Sequence, residues 1–211
     1  MNQIKIKILQ YMYGKHDYFS WSEWINRRYG ERHGYDYVVR HEEPRSDRHI
    51  CWHKVPVILD ELLNCDYLLF LDADAIFYSH ELTIENELIP LMQGKMILMA
   101  QDVGSETERW NPGKPNAGVM LMKTNDQVRT FFDAWNQSSE MDSSTRWNWP
   151  PEQLALWNSV MPKFPDMVHV HPEYYMIQGR HGLLIRHYML MNDEERTEKM
   201  KVYCQSRKWK T

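Results

Sequence analysis

An unbroken apolar run, Tyr67-Leu68-Leu69-Phe70-Leu71, stops abruptly at Asp72-Ala73-Asp74, and no other junction in the chain constrains the fold as strongly. A strand with no polar face must be covered on both sides, which places it at the centre of a sheet packed between helices. Met96 to Ala100 and Gly118 to Met122 have the same character. Ile4, Ile6, Ile8 and Leu9 read as a first strand that ends in the loop Tyr11-Met12-Tyr13-Gly14. Residues 17 to 30 predict a helix ending near Gly30, and 33 to 39 a turn into a second strand. Trp52, Val55, Leu59, Leu62 and Leu63 fall at helical spacing over 48 to 64. Val128, Phe131, Phe132 and Trp135 form another helical stripe, capped by Thr124 or Asn125, and a further helix starts after Pro150-Pro151. The alternation of strand and helix predicts an α/β fold: a Rossmann-like, mostly parallel central sheet flanked by helices, in a single domain.

A chain of 211 residues suits one such domain. The expected catalytic unit is 1–191, followed by a polar, solvated helix or tail over 192–211 that ends in Arg207, Lys208 and Lys210. Two surface loops are expected, 40 to 49 and 101 to 115. The second joins two core strands, where a long loop is more often functional than idle. With 25 Lys and Arg against 29 Asp and Glu, the chain lacks the basic footprint of a nucleic-acid binder. Cys51, Cys65 and Cys204 show no metal or redox spacing and read as free thiols in a reducing compartment. No apolar run approaches the roughly 20 residues needed to span a bilayer. The expected location is cytoplasmic, or as the soluble catalytic domain of a longer protein with further domains.

Asp72 and Asp74 stand just beyond the end of the apolar strand, where open α/β sheets collect their ligands. Carboxylates at i and i+2 on extended backbone point to one side. Held close, they repel and each raises the other's pKa, a conflict that a divalent cation resolves. Oxygen donors suit Mn²⁺ or Mg²⁺, which take the rest of their ligands from water and substrate phosphates. The bland reading is an acidic turn at a strand end. A phosphatase of the haloacid-dehalogenase type also places a strand-end Asp-x-Asp, as nucleophile and partner. It needs a later acidic pair, and this chain has no Asp-Asp dipeptide and carries its motif on an internal strand. Glycosyl transfer, with the cation bridging a nucleoside diphosphate leaving group, fits better.

Several ordered segments together resemble the GT-A glycosyltransferases, most nearly the fungal and plant α-galactosyl-, mannosyl- and xylosyltransferase family. They are residues 25 to 37 (Ile25-Asn26-Arg27-Arg28-Tyr29-Gly30 through Tyr37), Trp52-His53-Lys54 and Phe70-Leu71-Asp72-Ala73-Asp74-Ala75. Gln101-Asp102, Asn116-Ala117-Gly118-Val119, Glu152-Gln153 and Ile185-Arg186-His187-Tyr188 follow, so the likeness spans most of residues 4 to 190. The chain departs from the family after the late histidine, where Met189-Leu190-Met191-Asn192 replace a glycine-rich continuation. No N-terminal membrane anchor is visible either.

The resemblance implies a UDP-sugar donor and a glycan or glycoprotein acceptor. It places Tyr11, Tyr13 and Gly14 at the nucleoside, a tyrosine stacking on uracil. Lys54 would lie beside the diphosphate, and Asp72, Ala73, Asn116, Ala117 and Gly118 would line the donor. His187 would complete a Mn²⁺ or Mg²⁺ site with Asp72 and Asp74, with His169, His171 and His181 as rivals for that role. Lys54 reads equally as a solvated helix residue, and Asn116-Ala117-Gly118 as a plain turn into a strand. Asp102 and Glu152 are the carboxylates available to act as base in an inverting reaction, or to orient and stabilise the sugar in a retaining one. Trp147-Asn148-Trp149-Pro150-Pro151 before Glu152 reads either as an acceptor-side face or, equally, as ordinary loop packing. A GT-A domain that binds glycans without turnover remains the non-enzymatic alternative.

Overall fold

The computed structural model describes residues 4–43, 48–102, 113–141, 151–172, 178–179 and 181–206. Most of the 101–115 loop, Trp147-Asn148-Trp149 and the basic C-terminal residues lie outside them.

Strand β1 (Ile6–Tyr11) leads through a short loop into helix α1 (Tyr18–His33), and β2 (Asp36–Arg40) follows. A single 3₁₀ turn (Ile50–His53) opens α2 (Lys54–Glu61), and β3 (Tyr67–Asp72) carries the apolar run. Next come β4 (Ala75–Phe77), the one-turn α3 (Ile84–Glu87), β5 (Ile97–Gln101) and β6 (Pro115–Lys123). Helices α4 (Asp126–Met141) and α5 (Pro151–Ala155), strands β7 (Val168–His171) and β8 (Ile185–His187) and helix α6 (Asp193–Ser206) follow.

Six strands form one sheet in the order β2-β1-β3-β6-β5-β7, and β4 pairs with β8 in a small second sheet. Five of the six run the same way, while β6 opposes both its neighbours. The reversal matters for position. The start of β6 lies on the same rim as the ends of β1, β3 and β5, so Asn116 to Gly118 sit beside Asp72 and Asp102.

Alternate residues of β3 enter opposite cores, as an all-apolar strand requires. Leu68 and Phe70 join the core under α2, α4 and α5, while Leu69 and Leu71 join the one under α1, α3 and β4. Each of these side chains is at most 1% exposed, worth about 1.5–3 kcal/mol apiece in apolar burial. Helix α1 runs past the expected end at Gly30 and stops at Gly34, whose φ of 72° is the left-handed cap glycine tolerates. Gly30 is instead an interior residue. A Cβ there would stand 3.2 Å from that of Tyr37, so glycine lets the helix lie close on β2. Asn125, of the two candidates, caps α4: its Oδ1 accepts from the Val128 amide at 2.9 Å.

Helix α6 is not a solvated appendage. Met200 and Tyr203 pack with Tyr18, Ile25, Ile76 and Tyr188 in a third core against α1. Among the described residues, no helix is long and apolar enough to cross a membrane.

Candidate active site

A cleft of about 850 Å³ opens at the rim where β1, β3, β5 and the start of β6 converge. Tyr11, Tyr13, Lys54, Asp72, Ala73, Asp74, Asp102, Asn116, Gly118, Glu152 and His187 all line it. Two predicted residues do not. Ala117 turns its side chain into the core, although its carbonyl accepts a bond from the Lys54 ammonium at 3.3 Å. Gly14 shapes the turn after β1 with a φ of 96°. Tyr11 lies with its ring against His53 and donates its hydroxyl to the Glu42 carbonyl, which leaves Tyr13 as the more available aromatic face. A second cleft of about 1260 Å³, bordered by α6, Tyr78 and Arg186, holds none of these groups.

The Asp72-Ala73-Asp74 turn rests on buried polar side chains. Gln10 donates to the carbonyls of Asp72 (3.1 Å) and Ala75 (3.2 Å), and Asn26 donates to Ala75 and accepts from the Phe77 amide, both at 2.9 Å. Gln10, Ser22 and Asn26 are wholly buried, so any lost partner would leave an unsatisfied group, at about 1–3 kcal/mol each. On the far side of the turn, β8 pairs with β4 so that His187 stands opposite Ala75.

Ligand atoms of Asp72, Asp74 and His187 lie within 4.8 Å of one another. Nε2 of His187 is 3.1 Å from Oδ1 of Asp74 and 3.8 Å from Oδ2 of Asp72. Its Nδ1 meets Oε1 of Gln178 at 3.1 Å, the arrangement that fixes the tautomer and leaves Nε2 for a cation. Gly118 makes this approach feasible. A Cβ on it would fall 2.1 Å from Cε1 of His187 and 2.9 Å from Oδ2 of Asp72. Two carboxylates and an imidazole around one point, with a cleft in front, fit a divalent cation that keeps open positions for water and phosphate. Of the rival histidines, His169 and His171 lie on the edge strand β7, and neither they nor His181 joins this group.

Each carboxylate also has a basic partner. Lys54 Nζ lies 2.8 Å from Oδ1 of Asp72 and 3.5 Å from Oε1 of Glu152. It is 7% exposed, so the reading of Lys54 as a solvated residue does not hold. Burial would strip its proton, but Asp72 and Glu152 outweigh burial and hold it firmly charged. Arg196 of α6 lies 3.0 Å from Oδ2 of Asp74. Burial pushes the Asp74 carboxyl up, yet His187 and Arg196 together hold it down at about 2. The mutual rise expected of an isolated acid pair is therefore absent at Asp74. Burial lowers the His187 pKa, but Asp74 and Asp72 together outweigh burial and raise it. Burial raises that of Glu152 against the pull of Lys54. Oε2 of Glu152 is buried with no hydrogen-bond partner, whereas Oδ1 of Asp102 accepts from Asn116 at 3.1 Å.

Arg196, Gln178 and Gln10 escape a reading of the sequence for chemistry. Gln10 and Arg196 act on residues distant in the chain, Gln178 on His187 nine residues on, and no local motif marks any of them. Gln153 stands in the quoted Glu152-Gln153 pair, and its Oε1 accepts from the Ala117 amide at 2.8 Å.

Residues 10–114 match the galactosyl transferase GMA12/MNN10 family. Among solved structures, a glycosyltransferase involved in the glycosylation of the major capsid of PBCV-1 superposes with a TM-score of 0.73 at 17% identity, covering 94% of this chain and 99% of that one. An active-site mutant of LgtC superposes with a TM-score of 0.50 at 13% identity, covering 93% and 95% of the two chains. No curated protein matches the chain in sequence.

Proposed function

We propose, from the premise that this chain is a glycosyltransferase of the GT-A fold, that it moves a hexose, pentose or deoxyhexose from a UDP-sugar to a hydroxyl of a glycan or glycoprotein. The observation that carries this reading is the cluster of Asp72, Asp74 and His187 at the strand-end cleft, with Lys54 beside it. A Mn²⁺ or Mg²⁺ ion held by those three residues would neutralise charge developing on the departing diphosphate.

The remaining work falls to the chain's own groups. Tyr13 offers its face to the uracil, and Asn116, with the backbone at Ala117 and Gly118, borders the sugar and phosphates. Lys54 stays protonated and keeps positive charge next to Asp72 and the leaving group. Glu152, with an unpartnered carboxylate oxygen, faces the sugar and stabilises positive charge on the ring as the anomeric bond breaks. Asp102, tied to Asn116, orients the sugar hydroxyls. Retention of anomeric configuration, read by NMR of the product, is the expected stereochemistry; inversion would recast Glu152 as the base that takes the acceptor proton.

The test is calorimetric titration of UDP with Mn²⁺ and with EDTA, on the native chain and on an Asp72→Asn, Asp74→Asn double variant. UDP affinity that needs both the cation and the carboxylates supports the reading, as does slow donor hydrolysis without acceptor. Equal affinity in EDTA and in the variant sinks it. Phosphate released from simple monoesters, with an acid-labile phosphoryl group on Asp72, would point to the phosphatase chemistry instead.

A further inference from the structure

We infer that Arg196, carried on the C-terminal helix, is a positioning residue for the cation ligand Asp74, so that α6 is a working part of the site. The inference rests on the cation-site reading above and extends it to a part of the chain outside the residues that match the family.

The placement of Arg196 is set locally before it reaches the site. Oδ1 of Asn192 accepts from the Glu195 amide at 2.9 Å and Oε2 of Glu195 accepts from the Asn192 amide at 3.0 Å, a reciprocal cap that fixes where α6 begins. Arg196 lies in the first turn that follows, and packing of Met200 and Tyr203 fixes how the helix is rotated. Its guanidinium is then held on several sides. Nε donates to the Tyr188 carbonyl at 3.2 Å, one terminal nitrogen reaches Asp193 at 3.2 Å, and the group lies 5.3 Å from the centre of the Tyr18 ring. The other terminal nitrogen meets Oδ2 of Asp74.

These contacts close a loop. The Tyr188 amide donates to the Asp74 carbonyl at 3.0 Å, so both the backbone and the side chain of Asp74 are tied, through Tyr188 and Arg196, to one rigid unit. With Oδ2 taken, Oδ1 is the oxygen presented to His187 and to a cation. Lys54 does the same for Asp72, holding Oδ1 and leaving Oδ2 toward His187. Gln178 does so for the imidazole. Each of the three ligands therefore has one partner that selects its coordinating atom, the arrangement through which outlying contacts govern metal affinity.

A bystander arginine and a positioning one predict opposite signs. A cation next to the site repels Mn²⁺, so if Arg196 only contributed charge, removing it would tighten binding. If it orients Asp74, removing it weakens binding. Mn²⁺ alone is titrated by calorimetry, with free Mn²⁺ followed by electron paramagnetic resonance, into the native chain, Arg196→Ala, Arg196→Lys and the same-helix charge control Lys201→Ala. The Asp72→Asn, Asp74→Asn variant defines the background.

The expected result is a fall in Mn²⁺ affinity of about 10–100-fold for Arg196→Ala. A smaller fall is expected for Arg196→Lys, which keeps the charge and loses the bond to Tyr188, and none for Lys201→Ala. Unchanged or tighter binding in a folded Arg196→Ala overturns the inference while leaving the cation site standing. A native chain whose Mn²⁺ binding equals the double-variant background overturns both. Should Arg196→Ala fail to fold, Arg196→Lys decides: weaker binding supports the positioning role and native affinity overturns it.

Discussion

Gly118 has no side chain to place, and that absence is what admits His187 to the edge of Asp72. A methyl group there cannot be absorbed by a flexible neighbour, because the imidazole is held by Gln178 and the carboxylate by Lys54. Gly118→Ala is therefore expected to keep the fold and to lose most Mn²⁺-dependent UDP affinity, at least 10-fold by calorimetry, with far-UV circular dichroism unchanged. Native affinity in that variant would mean His187 is not a ligand. At this scale the sequence shows its residue types well and its partnerships poorly. Asp72, Asp74, His187 and Lys54 can be picked out by motif. That Lys54 is buried between two carboxylates, or that Arg196 shares Asp74, depends on distances no spacing encodes.

Elements differ in how openly they declare themselves. Strands β3, β5 and β6 are plain in the sequence because an unbroken apolar run needs no periodicity to be recognised. Such a run has no direction, so the reversal of β6 is not legible, although it delivers Asn116 to Gly118 to the cleft. Helix α4 shows its stripe clearly but not its tether: Nε1 of the wholly buried Trp135 donates to the Glu152 carbonyl at 2.9 Å. Trp135→Phe should remove that one bond, costing about 1 kcal/mol in urea unfolding. It should also lower kcat more than KM as Glu152 shifts.

Between α2 and the β1–β2 pair, Glu61 accepts from Lys7 at 3.0 Å and from Arg40 at 2.5 Å, joining the helix to both strands. Burial raises its pKa, but the two cations outweigh burial and bring it below the ordinary 4.5. A carboxyl depressed on folding contributes stability above its ordinary pKa and loses it as pH falls through the folded one. Acid denaturation below about pH 4.5 should accordingly flatten in Glu61→Gln, with donor binding near neutrality unchanged. An unaltered acid limb would show that the cluster contributes nothing to that dependence.

Across the whole molecule, the cleft gathers side chains from β1 at one end of the chain to α6 at the other, and the three cores surround it. A ligand bound there touches most of the cooperative unit, so its binding energy adds directly to unfolding stability. Saturating UDP with Mn²⁺, at about 1,000 times Kd, should stabilise the native state by roughly 4 kcal/mol, seen as a rise in Tm that EDTA reverses. No shift under those conditions would mean that UDP is not the nucleotide. The α/β class follows from the alternation of apolar runs with helical stripes, and the single domain from the length of 211 residues. The docking of α6 does not, because its polar sequence shows little stripe and its two anchors, Met200 and Tyr203, lie among charged residues.

The pairing of Asp74 with Arg196 also has a consequence in time. A ribosome adding about 5–20 residues per second makes the chain from its N-terminal end. On the order of ten seconds therefore separates the appearance of Asp74 from that of its arginine. Strand pairing among β1, β2 and β3 can begin in that interval, but the acid turn at their rim has neither Arg196 nor His187. In the nascent sheet Lys54 is already there to balance Asp72, while Asp74 stands without its two later partners. Asp74 gains its full set of charged partners only once α6 has been made.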